Sequence, residues 1–196
     1  MELPKSTAYG RIIAKDKLFE HGGANRELQD IVAKQLGRIR WANKIAPSTM
    51  NIAQDEDVAE IEVIEIDLRV PLAELDRRIL PLITKAIPYS LLFELVGGEK
   101  VSYAVIYGSK HFQSETPPKI IGNGTNSIWE NFVRQIADIT QNDIPLADVI
   151  AETERHEKLT RQIESLERKA RVEKQPRRKL DYANEIKRLK ETLNNG

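Results

Sequence analysis

The sequence predicts an α+β fold, a mainly antiparallel sheet with helices on one face, carrying a C-terminal antiparallel helical hairpin of coiled-coil type. Three observations lead there. Helical and strand periods alternate through the first 150 residues in the order α-β-β-α-β-β-α, with short connections. A glycine turn joins two apolar runs as a hairpin, Leu91 to Leu95 and Val101 to Tyr107 around Gly97-Gly98. Beyond Ala151 the density of charge rises and the apolar residues fall into two heptad-like stripes. The expected domains are therefore 1–145, α+β, and 146–196, the helical hairpin.

The elements follow in order. Asn25 caps a helix over Arg26 to Leu36, with Leu28, Ile31, Val32 and Leu36 on one face and Gly37 past its end. In Arg38 to Ile45 the apolar Ile39, Trp41 and Ile45 alternate with Arg38, Arg40 and Lys44, which predicts a strand with one buried and one basic face. From Val58 to Leu68 the apolar parity slips at Val63/Ile64, so that strand carries a bulge or is buried on both faces. Pro71 opens a helix with Leu72, Leu75, Ile79, Leu82 and Ile83, interrupted at Pro81 by a kink or restart. Ser127 and Glu130 form a capping box for a helix bearing Ile128, Phe132, Ile136 and Ile139.

The tail reads as two helices. Leu159, Ile163, Leu166 and Ala170 recur at helical spacing, and Tyr182, Ile186, Leu189 and Leu193 repeat it after a break. Pro176 lies in that break, where it stops the first helix and lets the second fold back. Each stripe is only about two heptads long, so the hairpin needs another surface or a second copy. Leu159, Ile163, Leu166, Tyr182, Ile186, Leu189 and Leu193 are the expected partner-binding residues.

Composition removes several functions. There is no cysteine, which excludes disulfides, thiol nucleophiles, zinc ribbons and iron–sulfur sites. No stretch approaches the roughly 20 apolar residues of a membrane span. The N-terminal residues lack a secretory signal, so a cytoplasmic location is expected. No phosphate loop, dinucleotide fingerprint or nucleophile elbow occurs, and His21, His111 and His156 lack the spacing of a zinc site. No catalytic residue, metal site or cofactor is expected.

Two charged clusters remain. Asp55, Glu56, Asp57, Glu60, Glu62, Glu65 and Asp67 place seven carboxylates within thirteen residues. A divergent metal-dependent nuclease would draw its ligands from Glu62, Glu65 and Asp67 with Lys100 or Lys110 nearby, but no strand carboxylate is followed two residues later by lysine. An acidic loop running into the polar face of a strand is the preferred reading. The second cluster is basic. Arg168, Lys169, Arg171, Lys174, Arg177, Arg178 and Lys179 give a local +6 against Glu173 alone. That tip is a candidate for weak DNA contact, with Arg38, Arg40 and Lys44 as a smaller one, although no aromatic residue interleaves to stack bases. The whole chain carries 30 basic and 30 acidic residues, but residues 151–196 hold 13 against 9, so residues 1–150 carry 17 against 21. Two parts with different roles fit this asymmetry.

Several stretches carry a resemblance. They are Leu3-Pro4-Lys5-Ser6-Thr7, Ile39 through Ile52, Glu60-Ile61-Glu62-Val63, Lys85 through Tyr89, Leu92 through Leu95, and Glu173 through Pro176 with Arg178-Lys179. In these the chain resembles a bacterial family known as domain of unknown function 4391. The resemblance implies a setting beside helicases and DNA methyltransferases in restriction-like, phage-defence gene clusters, and supplies no catalytic residues. It directs attention to Trp41, Lys44, Thr49 and Asn51, either as a group that binds a phosphate or partner backbone or as core plus an ordered turn. The expected function is that of a non-enzymatic accessory subunit. Its partner would be a helicase-like or DNA methyltransferase-like protein, or a second copy of the chain in a homodimer.

Overall fold

The computed structural model describes residues 1–194, which fall into two compact units, 1–140 and the segment from residue 141 on. The first holds a six-stranded sheet in the order β1-β2-β3-β4-β5-β6. The strands are β1 (Ala8–Ile12), β2 (Leu36–Ile45), β3 (Ile61–Leu68), β4 (Ser90–Gly97), β5 (Lys100–Tyr107) and β6 (Lys110–Ser114). All neighbours are antiparallel except β3 and β4, which run parallel. A parallel pair needs a crossover, and α3 (Ile79–Ala86) lies in it. Helices α1 (Lys15–Gly22) and α2 (Arg26–Gln35) fill the connection from β1 to β2, and α4 (Thr125–Ala137) follows β6.

The α+β class and the mainly antiparallel sheet stand as predicted. Asn25 caps α2 by accepting the Leu28 N–H at 2.9 Å. The parity slip in β3 is burial on both faces, since Ile61, Glu62, Val63 and Ile64 are all buried. The bulges lie instead on β2, where register shifts between Leu36 and Ile39 and again between Trp41 and Asn43. Pro81 sits in the first turn of α3, where its missing N–H has no intrahelical partner to lose; the helix begins at Ile79, and Leu72–Glu74 form only a 3-10 turn. The last helix of this unit starts two residues before the expected cap. Gly124 is its N-cap, Ser127 reaches back to the Gly124 N–H at 3.2 Å, and Asp55 accepts the Asn126 N–H at 2.8 Å.

Alternate parity divides the core. Ile39, Ile64, Ile66, Leu91, Phe93, Leu95 and Ala104 pack with Leu18 of α1, Val32 of α2 and Ile79, Leu80, Leu82 and Ile83 of α3. Ile61, Val63, Leu92 and Val105 have the other parity and are equally buried. Helix α4 packs on β5 and β6 and buries Ile128, Phe132, Val133 and Ile136; its Glu130 and Arg134 act electrostatically on Tyr107, which shares the parity of Val105. Three helices thus cover one face, and α4 covers part of the reverse.

The second unit is the hairpin. Helix α5 (Leu146–Val172) and α6 (Pro176–Asn194) are joined by residues 173–175 and pack on each other. Pro176 is the first residue of α6, where its fixed φ suits a helix start. Lys190 and Glu167 pair between the helices at 2.8 Å.

Candidate functional site

The basic strand and the acidic run are neighbours in the sheet, and they neutralise each other. Arg40 grips Glu65 with two guanidinium nitrogens, Nε at 2.9 Å. Arg38 faces Asp67 at 3.6 Å, and Lys44 pairs with Glu60. Carboxylate contacts hold the Arg40 and Lys44 cations above their ordinary pKa, the hydrogen bonds to Glu65 and Glu60 being the main causes. Asp55 and Asp57 are spent on Asn126 at the start of α4, where an acid also complements the helix dipole. The single basic face expected of β2 is therefore split. Its bulge at Trp41/Asn43 places Lys44 opposite Glu62, whereas Arg40 stands opposite Glu65, and those two acids have opposite parity on β3. For the same reason Glu62 lies on one face and Glu65 and Asp67 on the other. Among the described residues no three His, Asp or Glu side chains gather as a metal would require.

Glu65 and Glu94 stand directly opposite each other on the parallel strands. Arg40 occupies the first, while the Met1 ammonium at 3.1 Å occupies the second. Tyr103 bonds to Glu94, and burial with that carboxylate pushes its hydroxyl up to about 12. These acids are engaged rather than offered to a substrate.

Glu62 is the most unusual group. It has 0% exposure; Oε2 accepts the Trp41 indole N–H, while Oε1 is buried without a hydrogen-bond partner. Burial pushes its carboxyl up to about 8, and the neighbouring Glu60 carboxylate adds to the effect. The Trp41 ring packs on Tyr9 with centroids 4.7 Å apart, and the Arg11 guanidinium lies 4.8 Å over Tyr9. Trp41, Lys44, Glu60 and Glu62 thus meet across β2 and the start of β3 from separate stretches of sequence. Thr49 belongs to the turn: its hydroxyl donates to the Lys44 carbonyl at 2.7 Å and accepts the Ala46 N–H at 3.1 Å. Sequence reasoning missed Tyr9 and Arg11, because their contact with Trp41 arises only from β1–β2 pairing.

A groove of about 760 Å³ opens at the carboxyl ends of β3 and β4. Leu68, Leu72, Leu95 and buried Ser102 line it, with Arg69 and Lys100 at its rim. Sequence reasoning gave no sign of it, since its lining comes from four separate segments.

The hairpin presents the remaining predicted residues. Ile163 is buried at 6% exposure, whereas Leu159, Leu166, Tyr182, Ile186, Leu189 and Leu193 are half-buried along the two packed helices. The seven cations Arg168, Lys169, Arg171, Lys174, Arg177, Arg178 and Lys179 gather around the 173–175 loop. All seven are exposed.

A family model described as "Domain of unknown function (DUF4391)" matches residues 1–121, which spans β1 to β6 and stops before α4 and the hairpin. No curated protein and no solved structure matches the chain.

Proposed function

The chain belongs to the DUF4391 family, and from that premise we propose that it is a non-enzymatic adaptor that works through protein–protein contacts of its helical hairpin. One observation carries the reading: of the seven stripe residues only Ile163 is fully buried, and six stay half-exposed. Helices in proteins draw most of their stability from packing an apolar face, and a two-helix unit with two-heptad stripes leaves part of that face unused. The remaining apolar strip is an interface for another protein. In keeping with the resemblance, the partner is a helicase-like or DNA methyltransferase-like component of a cytoplasmic restriction-like, phage-defence assembly. Catalysis has no comparable support, because Glu62 is separated by the sheet from Glu65 and Asp67 and each is held by a side chain of β2.

A second reading, nucleic-acid contact, draws on the seven exposed cations of the tip. The test is a variant combining Leu166→Asp with Leu189→Asp. Tagged wild-type chain recovered from the native host should bring down a component that mass spectrometry identifies and that rebinds when purified. The double variant should lose that binding while retaining the near-ultraviolet signal of Trp41 and Trp129 in the sheet unit. Binding that survives the double substitution would overturn the adaptor reading.

A further inference from the structure

The first half of α5 and the tip of the hairpin carry opposite charges. Over residues 146–158, Asp148, Glu152, Glu154 and Glu157 oppose Arg155 and Lys158, a net of −2; over residues 168–179 the net is +6. Buried Ile163 lies between these two stretches. The local electrostatics of the tip are unfavourable. Arg177, Arg178 and Lys179 stand in the first turn of α6 with no acid among them, where the helix dipole favours anions. Two acids in the first half of α5 pair with exposed cations of the same helix, Glu157 with Arg161 at 3.3 Å and Glu152 with Arg155 at 3.6 Å. Pairs of that kind are weak and exchange readily. One surface supplies both an apolar strip for the seam and an acidic stretch for the tip. It is the same hairpin of a second copy, turned end for end.

We propose that two copies of this chain associate through their hairpins as an antiparallel four-helix bundle, the basic tip of each lying against the acidic first half of α5 in the other. The proposal rests on the reading of the seam as a protein-contact surface and names its occupant. Orientation follows from charge, since parallel pairing stacks two +6 tips, whereas antiparallel pairing sets +6 against −2. Counting from Ile163, Glu157 precedes it by six residues (163 − 157) and Lys169 follows it by six (169 − 163), so the two stand at the same level along the bundle when α5 runs antiparallel to α5 about that point. Nucleic acid is the weaker occupant. It would satisfy the tip and leave the seam open.

The experiment uses the full chain and two triple reversals. One is Arg168→Glu, Lys169→Glu and Arg171→Glu; the other is Glu152→Lys, Glu154→Lys and Glu157→Lys. Light scattering should give the wild type twice its 22.3 kDa mass, with dissociation strengthened by salt. Each reversal alone should weaken self-association by about tenfold or more. An equimolar mixture should recover the dimer, because each reversed end then meets a complementary one; damaged folding cannot produce that recovery. A wild type that stays monomeric at about 100 μM, a dimer indifferent to both reversals, or a mixture that fails to re-form overturns the proposal. A monomer whose tip binds a 20-base-pair duplex, with binding lost in the first reversal, overturns it in favour of nucleic acid. The adaptor reading is separable: a monomeric wild type that loses its partner on the Leu166 and Leu189 changes rejects only the homodimer. A rescued dimer that binds no other component rejects only the adaptor.

Discussion

Glu62 shows how one buried side chain sets a pH dependence. Its ordinary pKa is 4.5, and in the folded chain burial raises it to about 8. Between those values the native protein holds a proton that the unfolded chain has released, so stability falls as pH rises through the window. The contribution is complete below 4.5 and lost above about 8. Glu62→Gln retains an acceptor for the Trp41 N–H and presents an amide donor toward Glu60, copying the protonated acid without its titration. We expect that variant to unfold in urea with little change at pH 5 and to exceed the wild type at pH 8.5 by about 1 to 3 kcal/mol, the range for relieving a poorly satisfied buried group. Parallel stability-against-pH curves for the two proteins would refute this. In sequence, Glu62 was one of seven clustered acids and its distinctness could not be seen. It comes from the β2 bulge, which brings Trp41 and Lys44 onto its side of the sheet, and register between strands leaves little trace in local patterning.

Helix α1 meets α3 through a glycine. A Cβ on Gly22 would lie 2.4 Å from Leu82 Cδ1 and 2.8 Å from the Leu82 carbonyl oxygen, and the second of these is backbone that cannot swing aside. Gly22→Ala should therefore push the helices apart and destabilise the sheet unit by about 1 to 3 kcal/mol, as overpacked sites do. Equal urea midpoints for variant and wild type would show that the helices do not approach this closely. Elements with their own local signal could be read from sequence. Asn25 announced α2, Gly97-Gly98 the β4–β5 turn, and the paired stripes the α5–α6 hairpin. Strand β1 was missed because all five of its residues are exposed, leaving no apolar alternation to detect. Helix α1 buries only Leu18 and Gly22, and β6 is a five-residue edge strand with no buried position. The basic face of β2 and the acids of β3 were both visible, but their mutual cancellation depends on strand pairing.

Taken together, the 30 positive and 30 negative charges give the chain no net attraction for a polyanion, so any nucleic-acid affinity must arise from their uneven distribution. Residues 1–150 carry −4 (17 − 21) and oppose a duplex, while residues 151–196 carry +4 (13 − 9), concentrated at the tip. The cations of β2 add little, being paired with Glu65, Asp67 and Glu60. Binding should accordingly be sequence-independent and weak, on the order of 10⁻⁴ to 10⁻⁶ M at physiological salt. Each phosphate contacted contributes about 0.9 to the slope of log affinity against log salt. Replacing Arg177, Arg178 and Lys179 by Gln should weaken binding to a fluorescent duplex and flatten that slope by up to about 2.7 if all three touch phosphates. These positions are exposed in the first turn of α6, where losing positive charge also relieves repulsion with the helix dipole, so the folded state should not suffer. An unchanged slope in the triple variant would place the contact elsewhere, and Arg38 and Arg40 would then have to leave Asp67 and Glu65 to make it.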